Sequence, residues 1–291
     1  MASTFQPIDV EKQKFLAVGR CIYCGSDGGE DGLRDEHIVP YALGANAILP
    51  KASCRNCEAI TSYLDGYLAR SVYYDLRLQM GVQSRRKNKP TTRPATISDG
   101  TTDHVFDFKL KDHPHFIHLP IWSRPGIMYG DQPTIEFAEQ SLMSFFQIPD
   151  NFWKNSEIPP DAKIKSKPKI NLQTFARAIA KIGYVSAIAH LRGTEFRPLF
   201  TPAIILGRYP YVSHYVGTDF SNEVEPPDTP HVRYKIEYGL WEHGRLALIR
   251  MKIRLFSDCG TAAGHGMPSY EVLVGALRGP DARAKLIPQA R

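Results

Sequence analysis

Cys21-Ile-Tyr-Cys24 and Cys54-Arg-Asn-Cys57 use four of the chain's five cysteines, and between them lies Asp35-Glu36-His37-Ile38-Val39-Pro40. Each Cys-x-x-Cys pair can turn two thiolates toward one side of an ion. Two such pairs complete the four-sulfur tetrahedral shell that Zn²⁺ takes in structural sites. A structural Zn²⁺ on Cys21, Cys24, Cys54 and Cys57 is therefore expected. The competing reading, disulfide-bonded or simply buried pairs, suits a secreted chain, whereas the first residues, Met-Ala-Ser-Thr-Phe-Gln-Pro, show no charged-then-apolar leader pattern. The gap between the pairs is longer than in an ordinary zinc ribbon, and chemistry would lie there. An imidazole is a base near neutral pH without large perturbation, and carboxylates are the oxygen donors that hard cations prefer. Hydrolysis of a phosphodiester uses both.

The order of these residues, Cys-x-x-Cys, an acid followed by His37-Ile-x-Pro40, Leu43-Gly44-Ala45-Asn46, then Ala52-Ser53-Cys-x-x-Cys opening a helix, resembles the HNH endonuclease family over residues 15–80. The resemblance implies a ββα-metal finger, in which a two-stranded hairpin and the following helix grip one divalent cation. It implies that His37 is the general base that activates water against a DNA phosphodiester. Glu36 stands where the family places its first ligand to a catalytic Mg²⁺ or Mn²⁺, commonly Asp, and Glu58 stands where the family has His or Asn. The family's middle Asn, shortly before the third cysteine, is replaced by Leu49, with Asn46 the nearest substitute and Asn56 a further reserve. Glu58 also reads as a first-turn acid favoured by the helix dipole. His37 also reads as a structural histidine of a zinc-stabilised nucleic-acid-binding module without catalysis. Alternation along a strand turns Asp35 away from the face that Glu36 and His37 must build around. The expected function is a metal-dependent HNH endonuclease hydrolysing DNA, with restriction and phage defence among the roles that share such a module. One active site per chain makes a homodimer attractive if both strands are to be cut.

These residues need elements to hold them. A helix beginning near Ser53 would aim free N–H groups and its positive dipole end toward the strand of His37, where a phosphate would sit. Zinc would act as a splint between the strand and the helix start. Apolar residues Ile60, Tyr63, Leu64, Tyr67, Leu68, Val72, Leu76 and Met80 continue at helical spacing, with Gly66 as a break. Arg85, Arg86, Lys87 and Lys89, among prolines and threonines, mark a linker and a strip for DNA backbone contact.

The fold class expected is α+β, with a finger domain over 1–84, a basic linker over 85–98 and a larger domain over 99–291 built mainly on an antiparallel sheet. In that larger domain, 104–122 alternates as paired strands, 171–191 is an Asn171-capped helix whose Ala and Ile face packs on a sheet, and 232–256 is a hairpin joined by a strand over 270–277. His104, His113, His115 and His118 read as scattered surface histidines. A hydrophobic fraction of 43% is ample for a core. The net charge of +6 is consistent with a polyanionic partner without requiring one. The best apolar stretch, 176–191, is interrupted by Arg177 and Lys181, so no membrane span is expected. Residence in the cytoplasm is the corresponding expectation.

Overall fold

The computed structural model of the chain describes residues 5–8, 15–82, 90–154, 158–159, 161–166, 168, 170–191, 196–219, 233–244, 246–257, 259 and 266–278. In chain order, β1 (Gln6–Ile8) precedes β2 (Leu33–His37), β3 (Ile48–Cys54), α1 (Arg55–Tyr67) and α2 (Tyr74–Gln79). Four strands follow, β4 (Thr92–Ser98), β5 (Asp103–Lys109), β6 (His115–Ile121) and β7 (Ser141–Gln147), then β8 (Lys163–Lys165) and the long α3 (Leu172–His190). The chain continues through β9 (Phe196–Pro198), α4 (Thr201–Ile205), β10 (Val216–Asp219), β11 (Tyr234–His243), β12 (Leu246–Leu255) and β13 (Ser269–Leu277).

The fold class is α+β, and every strand pairing among the described residues is antiparallel. The main sheet runs β1-β11-β12-β13-β10, with β9 also on β13. Its β11–β12 hairpin and the added β13 form where the strand-like runs of the sequence lie, with β13 buried along seven consecutive residues from Ser269 rather than alternately. α3 lies on this sheet. Asn171 caps the helix, its side chain accepting from the Thr174 N–H at 2.8 Å. Gly183 permits the close approach, because a Cβ there would stand 3.1 Å from Val272 Cβ and 3.2 Å from Ile253 Cδ1. The opposite side of α3 meets α1, so the helix is buried nearly all round. One apolar core consequently includes Ile38, Leu64 and Leu68 together with Ile179, Ile182 and Val272.

Several local expectations change. Gly66 does not break α1; its missing Cβ leaves room for the Arg70 guanidinium. The helical run is interrupted instead by a π-helical turn over Leu68–Val72. Residues 92–98, read within the linker, form β4. Pro94 is tolerated there because β8 pairs only with Thr96–Ser98, leaving Pro94 on an open edge. β5 and β6 do not pair with each other. A 3-10 turn over Leu110–Asp112 separates them, so β5 returns along β4 while β6 pairs with β7. His113 and His115 are buried rather than on the surface, 4% and 6% exposed. No helix among the described residues is long and apolar enough to cross a membrane. The basic run Arg85, Arg86, Lys87 and Lys89 lies outside the described residues.

Candidate active site

The segment before β2 has little regular structure and runs beside β3. The Val18, Gly19 and Ile22 N–H groups donate to the Pro50, Lys51 and Ala52 carbonyls at 2.9, 3.1 and 2.8 Å. This brings Cys21 and Cys24 to the C-terminal end of β3, where Cys54 closes the strand and caps α1 and Cys57 lies in its first turn. Gly25, at φ +80°, turns the chain so that its N–H donates to the Cys21 carbonyl at 2.8 Å.

All four sulfurs lie within 4.8 Å of one another, and Cys24 Sγ and Cys54 Sγ are 3.7 Å apart. A disulfide needs about 2.05 Å, whereas sulfurs about 2.3 Å from a tetrahedral Zn²⁺ stand about 3.8 Å apart. The donor set therefore fits zinc. Burial pushes the Cys57 thiol up, with the Cys21 charge adding to the effect. Burial also opposes ionisation of Cys54, but the Cys57 backbone N–H and the neighbouring sulfurs outweigh it and bring that thiol down to about 7. Four packed thiols cannot all ionise without a cation among them.

β2 and β3 pair through Glu36 opposite Leu49 and His37 opposite Ile48, with a bulge between Arg34 and Glu36. Asp35 sits in this bulge and its carboxylate accepts the Lys51 N–H at 3.0 Å. Lys51 itself has φ +48°. Asp35 is thus tied to the opposite strand, where Pro50, Lys51 and Ala52 stand opposite it alone, so the extra residues of the bulge lie on β3.

His37 is half-buried with its ring 5.8 Å from that of Tyr41. It lines a cleft of about 540 Å³ whose walls also include Glu36, Tyr41, Glu58, Asp65, Arg70 and Arg77. Glu58 occupies the first turn of α1, 3.6 Å from the Arg34 guanidinium. Leu49 is fully buried, and Asn46 is exposed on the preceding loop, away from the cleft lining. Glu36, His37 and Glu58 thus share one cleft, and Asn46 is not part of it.

Glu36 is 3% exposed and both its oxygens are engaged. Oε1 lies 3.2 Å from Lys181 Nζ, and Oε2 accepts from the Thr61 hydroxyl at 3.2 Å. The same ammonium stands 3.0 Å from Asp65 and donates to the main-chain carbonyl of His37. Burial pushes the Asp65 carboxyl up to about 6 against the pull of Lys181. Burial also disfavours the Lys181 charge, yet Asp65 and Glu36 outweigh it and raise its pKa.

The cysteines are the one cluster of three or more metal donors among the described residues. Glu58 can still offer an oxygen to a hard cation, since Mg²⁺ commonly takes one or two carboxylates together with substrate phosphates. Glu36 does not fit that role in this arrangement.

Thr61 and Asp65 on the cleft wall, and Lys181 buried behind it, were not legible as parts of this arrangement. Their signal was a lysine inside an otherwise apolar helix, a residue type that is buried only when paired. Compared with known proteins, residues 21–71 match the family model of the HNH endonuclease. No curated protein and no solved structure matches the chain.

Proposed function

We propose that this chain, with its HNH endonuclease match over 21–71 as the premise, hydrolyses DNA phosphodiester bonds at the cleft beside the cysteine cluster, with help from Mg²⁺ or Mn²⁺. The observation that carries the reading is the position of His37: a base on the wall of a cleft that also holds two arginines and Glu58, the residue after the last cysteine of the four-sulfur cluster. His37 takes the proton of the attacking water. General-base help of this kind contributes about 10²–10⁴-fold. Arg70, exposed at the cleft, offers a planar fork of donors to phosphate oxygens. A bound Mg²⁺ or Mn²⁺ would neutralise charge on the phosphate and the leaving oxygen, and Glu58 is the side chain that would hold it. Zinc on Cys21, Cys24, Cys54 and Cys57 keeps β3 and α1 in register with the acid–histidine strand. In this reading the hairpin β2–β3 and α1 constitute the ββα-metal finger.

The sequence run Arg85, Arg86, Lys87 and Lys89 is assigned contacts to the DNA backbone on its charge alone. Their replacement by serine should weaken DNA binding and flatten its salt dependence, the slope of log affinity on log salt falling by about 0.9 for each phosphate that is no longer neutralised. Unchanged affinity and slope would leave the run a linker.

The commitment of Glu36 to Lys181 favours one other reading, a zinc-stabilised DNA-binding module without catalysis. Incubation of supercoiled plasmid with Mg²⁺, Mn²⁺ or EDTA separates the two. Cation-dependent nicking or linearisation supports the nuclease, while retarded but intact plasmid supports the binding module.

A further inference from the structure

We infer that Lys181 is a positioning residue of this cleft, an ammonium supplied by the C-terminal half of the chain that fixes the acid–histidine strand from behind. The inference rests on the nuclease reading and assigns Glu36 a different task within it, as anchor of the strand rather than ligand of the cation.

The geometry is specific. An ammonium has three N–H donors and no acceptor. Lys181 Nζ meets three acceptor groups: Glu36 Oε1 at 3.2 Å, Asp65 at 3.0 Å and the His37 main-chain carbonyl. One belongs to the acid of β2, one to the last turn of α1, and one to the proposed base itself. Lys181 is 0% exposed and does not line the cleft, so it can act on substrate only through these groups. A lysine at such a depth ordinarily carries its head to water or loses its charge. Here Asp65 and Glu36 retain it.

Lys181 is held in place by the packing of α3 against both the main sheet and α1, with Gly183 two residues on admitting Val272 close to the helix. The same helix sends Tyr184 to the finger, its hydroxyl donating to the Ile22 carbonyl at 2.8 Å. From the sheet, the Tyr234 hydroxyl donates to the Leu43 carbonyl just after the acid–histidine strand. The finger therefore receives the fixed charge behind its catalytic strand from a helix 144 residues further along the chain. Without that helix, Glu36 and Asp65 would be two buried like charges with nothing between them, and the main chain of His37 would lose its support.

The test uses the full chain with Lys181→Met and, because that change strands two carboxylates, a second variant, Lys181→Met/Glu36→Gln/Asp65→Asn, in which the charges leave together. Zinc content, DNA affinity, single-turnover cleavage at saturating DNA and the NMR signal of the His37 imidazole are measured for each. Zinc content and DNA Kd should stay at wild-type values, while the single-turnover rate falls by about 10²-fold, the scale set by small misplacement of a catalytic group. The His37 ring signal should shift in both variants, and the triple variant should recover thermal stability without recovering rate. A purely structural role would restore rate together with stability. A wild-type rate with an unmoved His37 signal in either folded variant overturns the inference. If the wild-type chain cleaves nothing, the nuclease reading fails separately, and the His37 signal alone decides: a shift keeps Lys181 as the anchor of the strand, and no shift removes it.

Discussion

Replacing Cys57 with serine should abolish zinc binding and unfold the segment that carries Cys21, while the main sheet stays folded. The structure supplies the magnitude. Residues 15–28 have no helix or strand, and ordering that stretch costs roughly 14–28 kcal/mol at about 1–2 kcal/mol per residue. The three hydrogen bonds from Val18, Gly19 and Ile22 to β3 return only about 2–5 kcal/mol together. A four-sulfur Zn²⁺ site contributes about 10–16 kcal/mol, which with the buried Tyr23 brings the two sides to within a few kcal/mol. A bound ion would thus be the term that decides whether the segment is ordered. Elemental analysis should find one zinc per wild-type chain and none in Cys57→Ser. Hydrogen exchange read by mass spectrometry should then show lost protection over residues 15–28, with β12 and β13 still protected. A metal-free wild-type protein whose residues 15–28 are protected, or a Cys57→Ser protein with unchanged zinc and exchange, would refute the reasoning.

Gly183→Ala should destabilise the protein, because overpacking against Val272 and Ile253 costs about 1–3 kcal/mol and exceeds the gain of about 1 kcal/mol in helix propensity; chemical denaturation measures the difference. Burial lowers the pKa values of His113 and His115 in the folded chain. Their stabilising contribution is accordingly complete above the unfolded-state value of about 6.5 and is lost as pH falls through the lowered folded values. The thermal midpoint should therefore drop more between pH 7 and 5 in the wild type than in a His113→Gln/His115→Gln variant, and equal drops would contradict that assignment.

What the sequence made legible was local. The cysteine spacing, the Asn171 cap, the hairpin pattern of 232–256 and the helical run over 171–191 each depend on neighbours a few residues apart, and each recurs in the structure. Glu36 was legible as an acid beside His37, but its partner was not, since Lys181 is brought to it by the packing of α3 on the main sheet. The bulge opposite Asp35 is equally invisible in the sequence, because it lies on β3, where Lys51, a residue that rarely takes a left-handed backbone, has positive φ. Asn46 shows the opposite relation. Proximity in sequence made it a substitute for the family's Asn, whereas the loop after Gly44 leaves it in solvent. The pairing of β4 was obscured by Pro94 and by the basic run before it, two signals that normally mark a connection.

The most direct test of the account is cleavage of supercoiled plasmid by wild-type and His37→Ala protein, each shown beforehand to hold one zinc and to melt at the same temperature. The wild type should nick or linearise the plasmid with Mg²⁺ or Mn²⁺ and stop in EDTA, and His37→Ala should be slower by about 10²–10⁴-fold. Equal rates in the two proteins would contradict the assignment of His37 as the base and, with it, the proposed mechanism.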